Sequence, residues 1–115
     1  QLDESWYNKD LITEEVKAGY REPLSVIGWE EGFWEYNRAP REFDIKDRLD
    51  EINVPTLLIT GDSDTVVATK DTEVLATMIQ NSVLFVIPQS GHLAQEETPK
   101  DTMKAIRVVW GILTR

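Results

Sequence analysis

Two short apolar runs decide the fold of this chain: Val54-Pro55-Thr56-Leu57-Leu58-Ile59-Thr60, which ends at Gly61, and Val83-Leu84-Phe85-Val86-Ile87, which Pro88 stops. Both have the length of a β-strand. Their hydrophobicity is continuous rather than alternating, which is typical of strands covered on both faces in a parallel sheet. A helical pattern over residues 69–80 separates the two runs. Its apolar face is predicted to consist of Val74, Leu75, Met78 and Ile79.

A last helix is predicted after the second run, with Thr98 as its N-cap, Pro99 in its first turn and Asp101 completing a capping-box pattern. Its predicted buried stripe is Met103, Ile106, Val109, Trp110 and Leu113. The order strand, helix, strand, helix predicts an α/β fold with a βαβα unit and a right-handed crossover. Two strands do not make a stable open sheet. We therefore expect either self-association through an exposed sheet edge or further strands outside this sequence.

The first part of the chain has a different pattern, polar and aromatic with helical spacing. Thr13 is predicted to cap a helix that opens with Glu14 and Glu15, since acidic side chains are favourable at a helix N-terminus. Pro23 fits the first turn of a second helix. The predicted buried stripe of that helix is Leu24, Ile27, Phe33 and Trp34. Residues 38–50 are predicted to be a linker that leads into a short helical turn.

Composition excludes several classes of function. The chain has 115 residues, with 12 Lys and Arg against 21 Asp and Glu, and its net charge of −9 argues against binding to nucleic acid. No apolar run approaches the length of about 20 residues that spans a bilayer. The absence of Cys excludes disulfides and thiolate metal sites, and a single His excludes His-rich ones. We therefore expect no metal and no organic cofactor, and the lack of Cys favours a reducing, cytoplasmic compartment.

The residues that could carry chemistry follow the two predicted strands. Gly61–Val67 follows the first strand and Ser90–Glu97 follows the second. The carboxyl ends of parallel strands are where open α/β sheets place catalytic groups. An Asp of the first loop could therefore reach His92, the single His of the chain. A carboxylate bound to one imidazole nitrogen fixes the tautomer and leaves the other nitrogen as a general base.

These motifs carry a family resemblance. The stretches INVPTLLITGDSDTVV (52–67) and LFVIPQSGHLAQEETPKDTMKAI (84–106) resemble the C-terminal part of an α/β-hydrolase-fold enzyme. In that family one loop supplies the acid of a catalytic triad and a Gly-His loop supplies its base. The resemblance implies that Asp64 is the acid and His92 the base. The residues that match the two motifs are Pro55, Gly61, Asp64, Val67, Gly91, His92, Glu97 and Pro99.

One part of the family pattern is missing from the sequence. None of the five serines lies in a G-x-S-x-G nucleophile elbow, and the chain begins with Gln1 rather than Met. The resemblance therefore implies a C-terminal fragment that needs the missing N-terminal half of the same hydrolase and is inactive alone. Its nucleophile would be Ser, or Asp in some branches of the family. Residues 1–49 would be a helical cap or lid segment, and residues 50–115 the C-terminal part of the core.

The aromatic side chains of the cap segment suggest the substrate. Trp29, Phe33 and Trp34 are candidates for contact with a small apolar or aromatic substrate. The alternative is that they form the core of the lid. Two other functions stay open at this stage: a non-catalytic α/β interaction module or degenerate hydrolase relative, and a Mg²⁺-dependent phosphatase whose D-x-D-x-[TV] motif would be matched by Asp62, Asp64 and Val66. Asp62 is otherwise expected to be a turn residue, and Glu96 and Glu97 to favour the N-terminus of the last helix.

Overall fold

A two-stranded parallel sheet forms the centre of the molecule in a computed structural model that describes residues 2–40 and 44–113. Strand β1 (Thr56–Gly61) pairs with strand β2 (Ser82–Ile87), with Thr56 opposite Ser82 and Gly61 opposite Ile87. Helix α4 (Thr69–Met78) connects them and contacts both strands. The predicted α/β fold class and the order strand, helix, strand, helix are confirmed.

Helices make up most of the remaining described chain. They are α1 (Leu2–Ser5), α2 (Glu14–Arg21), α3 (Trp29–Arg38), α5 (Ala94–Glu97) and α6 (Pro99–Leu113). Three short 3₁₀ helices are Lys9–Leu11, Glu22–Ser25 and Ile45–Glu51. The last of these is the helical turn predicted after the linker, part of which (41–43) lies outside the described residues. The short elements α1, α5 and Lys9–Leu11 had no predicted counterpart.

The start of the second helix was predicted wrongly. Thr13 caps α2 as expected, its Oγ1 accepting a hydrogen bond of 3.2 Å from the amide of Val16. Pro23, however, begins only the short 3₁₀ helix, and α3 starts at Trp29. Gly28 separates the two with a φ of 83°, a left-handed conformation that a continuous right-handed helix cannot contain. The predicted buried stripe is also wrong, because Leu24, Ile27, Phe33 and Trp34 are all exposed.

The apolar surfaces of the α/β unit are less covered than their sequences predict. Residues 57–59 of β1 are half-buried, and Val83 and Val86 of β2 are exposed, so the strands are not covered on both faces. Helix α6 packs on both strands. Its buried positions are Thr102, Ala105 and Val109, whereas Met103, Ile106 and Trp110 are exposed and the Leu113 side chain lies outside the description. The small residues face the strands because they permit close packing there.

Helix α4 shows the same partial coverage. Leu75 and Met78 are half-buried, Val74 is exposed, and Ile79 is buried but follows the end of the helix. The radius of gyration is 16.8 Å, whereas a compact domain of this length would have about 13 Å. The fold therefore leaves apolar surface uncovered around a small core. No helix among the described residues is long and apolar enough to cross a membrane.

Candidate active site

Asp64 and His92 meet above the carboxyl ends of the two strands. The Nδ1 atom of His92 lies 2.9 Å from Oδ2 of Asp64, although 28 residues separate them in the sequence. The Asp64 side chain is buried, with 6% of its surface exposed, whereas 36% of the His92 side chain is exposed. A buried carboxylate thus holds the inner nitrogen of an imidazole whose ring is accessible from solvent. This is the arrangement that a general base requires.

The loop after β1 keeps Asp64 ionised. Its Oδ1 accepts hydrogen bonds of 2.9 Å from the amides of both Val66 and Val67. Burial opposes ionisation, but the hydrogen bond from His92, together with those from the two amides, outweighs it and lowers the pKa of Asp64. An ionised carboxylate only accepts hydrogen bonds, so the Nδ1–H of His92 is the donor in this pair.

The two loops are joined at their bases by backbone hydrogen bonds. The amide of Asp62 donates to the carbonyl of Ile87 at 2.9 Å, and the amide of Ser63 donates to the carbonyl of Ser90 at 3.0 Å. These bonds continue the parallel ladder beyond Gly61. The sequence prediction that the loops lie side by side is therefore correct.

The end of α1 and the residues that follow it lie across both loops. We call residues 4–8 the strap. The Thr65 hydroxyl donates to the carbonyl of Glu4 at 2.9 Å, and the amide of Leu93 donates to the carbonyl of Ser5 at 3.3 Å. The strap thus contacts the loop of Asp64 and the loop of His92 at the same time.

Glu97 and Glu96 make contacts that the sequence did not predict. The Glu97 carboxylate is buried and accepts hydrogen bonds from the backbone amides of Tyr7, Asn8 and Gly91. The Glu96 carboxylate instead accepts a hydrogen bond of 2.7 Å from the Tyr20 hydroxyl, which links α2 to α5. The sequence alone did not reveal the contacts with Tyr7, Asn8 and Tyr20 because these partners lie 76 to 90 residues away.

A cavity of about 310 Å³ lies next to the Asp64–His92 pair. It is lined by Ile59, Thr60, Asp64, Val67, Thr72, His92, Ala94, Gln95 and Thr102. The predicted substrate residues are located elsewhere: Phe33 and Trp34 project from α3 with 63% and 61% of their surface exposed, and Trp29 is half-buried. The lining of this cavity does not include them. The described structure therefore brings Asp64 and His92 together, but not with the aromatic side chains.

The second carboxylate of the loop does not share this site. Asp62 is exposed, and its Oδ1 accepts a hydrogen bond of 2.8 Å from the Ser63 hydroxyl. That hydrogen bond, with backbone contacts from Gln89 and Ser90, lowers the pKa of Asp62. Asp62 is therefore a turn residue, as expected, and Asp64 is bound to an imidazole. Among the described residues no group of three or more acidic or imidazole side chains could hold a metal ion.

Four of the serine hydroxyls form hydrogen bonds with groups other than His92. Ser25 donates to the Glu22 carbonyl, and Ser82 donates to the Ala76 carbonyl. Ser63 donates to Asp62, and the Ser90 hydroxyl is buried against that of Thr98 at 3.0 Å. None of these contacts has the geometry of a serine activated by His92.

A comparison with protein families identifies the chain. The family model described as "Serine hydrolase (FSH1)" matches residues 31–101, more than half of the chain, and includes both Asp64 and His92. The chain belongs to this serine hydrolase family. The matched segment contains both strands and α4, with most of α3 and the start of α6, so family membership is consistent with the observed fold.

Individual relatives of this serine hydrolase chain are longer than the chain itself. The uncharacterized hydrolase YugF of Bacillus subtilis (strain 168) is 35% identical over 95 residues, which cover 82% of this chain and 34% of YugF. The chain therefore spans about a third of the length of this relative. The monoacylglycerol lipase ABHD6 of Mus musculus is 32% identical over 74 residues, 64% of this chain and 22% of the lipase.

Solved structures show the same relation. The esterase EaEST from Exiguobacterium antarcticum superposes with a TM-score of 0.70 and 28% identity, over 93% of this chain and 39% of the esterase. The meta-cleavage product hydrolase CumD from Pseudomonas fluorescens IP01 gives a TM-score of 0.73 and 25% identity, over 94% of this chain and 41% of CumD. The serine hydrolase chain thus has part of an α/β-hydrolase fold, as the sequence motifs implied.

Proposed function

We propose that Asp64 and His92 are the acid and base of a serine-hydrolase triad that cleaves ester or related bonds. The observation that carries the proposal is the 2.9 Å contact between the two side chains at the carboxyl end of the sheet. Membership of the serine hydrolase family supports the reaction class. The names of two matched relatives, an esterase and a monoacylglycerol lipase, support an ester as the bond that is cleaved.

The two residues have distinct roles in this reaction. The Nε2 atom of His92 takes the proton of the nucleophile hydroxyl while the hydroxyl oxygen attacks the ester carbonyl carbon. The ionised Asp64 carboxylate stabilises the imidazolium that forms. His92 then gives the proton to the leaving alkoxide, and an acyl-enzyme remains. Water deacylates this intermediate in a second step with His92 again as base.

We place the nucleophile outside these 115 residues. The engaged hydroxyls of Ser25, Ser63, Ser82 and Ser90 support this assignment. The uncovered strand and helix faces also support it, because further core strands and helices of the same hydrolase would bury them. On this proposal residues 50–115 are the C-terminal part of the core, and the isolated chain is inactive.

Residues 1–49 form a cap over the site in this proposal. Their helices and the exposed aromatic side chains of α3 support a surface that contacts a small apolar or aromatic acyl substrate. The contact of Trp29, Phe33 and Trp34 with substrate stays a prediction, because these side chains do not line the cavity beside Asp64 and His92. The link between Tyr20 and Glu96 would hold the cap to the core near His92.

The experiment that tests the base is His92→Ala in a protein that includes the nucleophile. Removal of a triad base elsewhere costs about 10⁶-fold in kcat, so we expect a loss of at least several powers of ten against a small aryl ester. The exposed substitution Lys100→Ala in α6 is the control and should leave kcat unchanged. A loss of tenfold or less for His92→Ala would contradict the assignment.

The isolated chain gives an independent check on the nucleophile. It should hydrolyse the same ester no faster than free imidazole at equal concentration. Substantial turnover, abolished by replacing one of its own serines, would show that the nucleophile lies within the chain.

A further inference from the structure

The buried carboxylate of Glu97 is the centre of a set of backbone contacts around His92. Its Oε2 atom accepts hydrogen bonds from the amides of Gly91 at 2.8 Å and Tyr7 at 3.1 Å, and its Oε1 atom accepts one from Asn8. Only 6% of Glu97 is exposed. Hydrogen bonds to an ionised acceptor are stronger than neutral ones. The carboxylate therefore ties the strap to the residue that directly precedes His92.

The fit between the strap and the His92 loop is close enough to require glycine. A β-carbon at Gly91 would lie 2.5 Å from the carbonyl oxygen of Ser5 and 2.9 Å from the amide nitrogen of Tyr7. No side chain fits in that space. The strap therefore rests directly on the backbone at Gly91.

The strap also contacts the other catalytic loop. Through the hydrogen bond from Thr65 to the Glu4 carbonyl, it is fixed to the residue that follows Asp64. The strap thus connects the backbone beside the acid with the backbone beside the base. A displacement of about 1 Å is enough to impair catalytic geometry. Fixing both loops to one segment opposes such a displacement.

We propose that Glu97 is a positioning residue for His92, holding the strap on Gly91 so that the imidazole stays opposite Asp64. The inference rests on the proposed function, since it assigns Glu97 a part in the same triad. Glu97 does not touch the reacting atoms, and its effect is transmitted through the amide of Gly91. Its replacement should loosen the Asp64–His92 contact while the sheet and α6 remain intact.

The test uses the tautomer of His92, which does not depend on catalysis. The chain contains a single His, so the ¹⁵N resonances of its imidazole are unambiguous. At about pH 9, where an ordinary imidazole is neutral, ¹⁵N chemical shifts report which ring nitrogen carries the proton. The unsubstituted chain should show the Nδ1–H tautomer, held by Asp64. Asp64→Asn should convert the ring to the Nε2–H tautomer. The size of that change is the reference for the other variants.

Glu97→Gln is the informative variant. A glutamine has one acceptor oxygen, and its NH₂ group would face an amide donor that the carboxylate now satisfies. We expect at least half of the tautomer change that Asp64→Asn produces. The matched control is Val109→Ala, which removes buried volume in α6 and leaves the Glu97 carboxylate in place. It should leave the tautomer unchanged, although it too lowers stability.

The outcomes separate this inference from the proposed function. If Asp64→Asn changes the tautomer and Glu97→Gln does not, the positioning role is overturned and the triad assignment stands. If Asp64→Asn leaves the tautomer unchanged, the pairing fails, and both proposals fail with it. A change in Val109→Ala as large as that in Glu97→Gln would also overturn the role, since any destabilisation would then suffice.

A second variant keeps the test decisive if Glu97→Gln does not fold. Glu97→Asp retains the carboxylate but is one methylene shorter, so it cannot reach all three amides at once. We expect a partial shift of the His92 tautomer in a chain with an unchanged circular dichroism spectrum. A folded Glu97→Asp chain with the tautomer of the unsubstituted protein would overturn the proposal.

Discussion

Gly61 lies so close to the carbonyl oxygen of Ser90 that a β-carbon at position 61 would overlap that oxygen. This contact lies where β1 and β2 both end, directly below the loops that carry Asp64 and His92. Asp64 is three residues beyond Gly61, and His92 is two beyond Ser90. The glycine therefore permits the close approach of the loop backbones on which the Asp64–His92 distance depends.

Gly61→Ala should destabilise the chain by about 3 kcal/mol or more, because the new β-carbon meets rigid backbone and not a mobile side chain. Urea denaturation measures the change. We also expect the Asp64–His92 contact to lengthen, which would appear as a loss of the Nδ1–H tautomer of His92.

Gly19→Ala is the matched control for that substitution. Nothing lies within 4 Å of a β-carbon at Gly19, which is inside α2. Alanine is favoured over glycine within a helix by roughly 0.5–1 kcal/mol, so this variant should be slightly more stable than the original. Equal losses of stability in the two variants would contradict the steric explanation.

Asp64→Asn should reduce the kcat of the complete hydrolase by about 10⁴-fold, the cost of the same change in a known triad. The geometry supplies the reason. The amides of Val66 and Val67 both donate to Oδ1, so the asparagine carbonyl stays on that side. Its NH₂ group then faces Nδ1 of His92 and favours the wrong tautomer. Steady-state kinetics with a small ester measures the effect, and an unchanged kcat would exclude Asp64 as the acid.

The fall in the free energy of unfolding at low pH should depend on Asp64. The folded state lowers the pKa of this carboxyl below its unfolded value of about 3.9. Between those two pKa values the unfolded state binds more protons than the folded state, so stability rises with pH. The contribution is therefore present above about pH 4 and lost as the pH falls through the folded-state pKa.

Asp64→Asn should flatten this dependence in urea titrations carried out at successive pH values. Asp50→Asn, at an exposed position in the 3₁₀ helix before β1, is the control and should leave the slope in place. If stability still falls steeply at low pH in Asp64→Asn, the fall must be caused by other carboxylates.

The fall in the free energy of unfolding at high pH should depend on the hydrogen bond between Tyr20 of α2 and Glu96 of α5. Burial, together with the hydrogen bond to Glu96 and its negative charge, raises the pKa of Tyr20 to about 12. A phenol whose folded-state pKa is raised stabilises the fold below its unfolded pKa of about 10, and this contribution is lost as the pH rises towards the folded-state value.

Ultraviolet absorbance of phenolate should thus show a late titration step that disappears in Tyr20→Phe. Glu96→Gln should move that step to lower pH, since the negative charge is removed while the side-chain length is kept. Tyr36→Phe, in α3, should retain the late step and is the control. If the late step disappeared in Tyr36→Phe, it would belong to Tyr36 and the assignment to Tyr20 would be wrong.

The sequence predicted those features that depend on local patterns. The apolar runs identified both strands and placed an Asp of the first loop near His92, because the carboxyl ends of parallel strands share one edge. The family resemblance selected Asp64 as that residue. The burial of α6 was not predictable in the same way. Of its predicted stripe Val109 is buried, but Met103, Ile106 and Trp110 are exposed, and the smaller Thr102 and Ala105 are buried instead.

Contacts across long sequence separations were also beyond local patterns. Glu97 looked like one of two acidic residues before a helix, yet its carboxylate binds amides of the strap. A buried glutamate has no distinct sequence signature. Its only signal was its match to the family's Gly-His motif, and that match carried no information on the partners of the carboxylate.

The contact between Tyr7 and Glu97 spans 90 residues of sequence. Closing a flexible loop of that length costs about 4 kcal/mol of chain entropy, and contacts of such high contact order form slowly. The two strands and α4 are neighbours in sequence and can pair much earlier. We therefore expect the ordering of His92 to be a late step in folding, completed only when the first residues of the chain dock on its last third. Cleavage within residues 1–10 would then uncouple the histidine while leaving the sheet assembled.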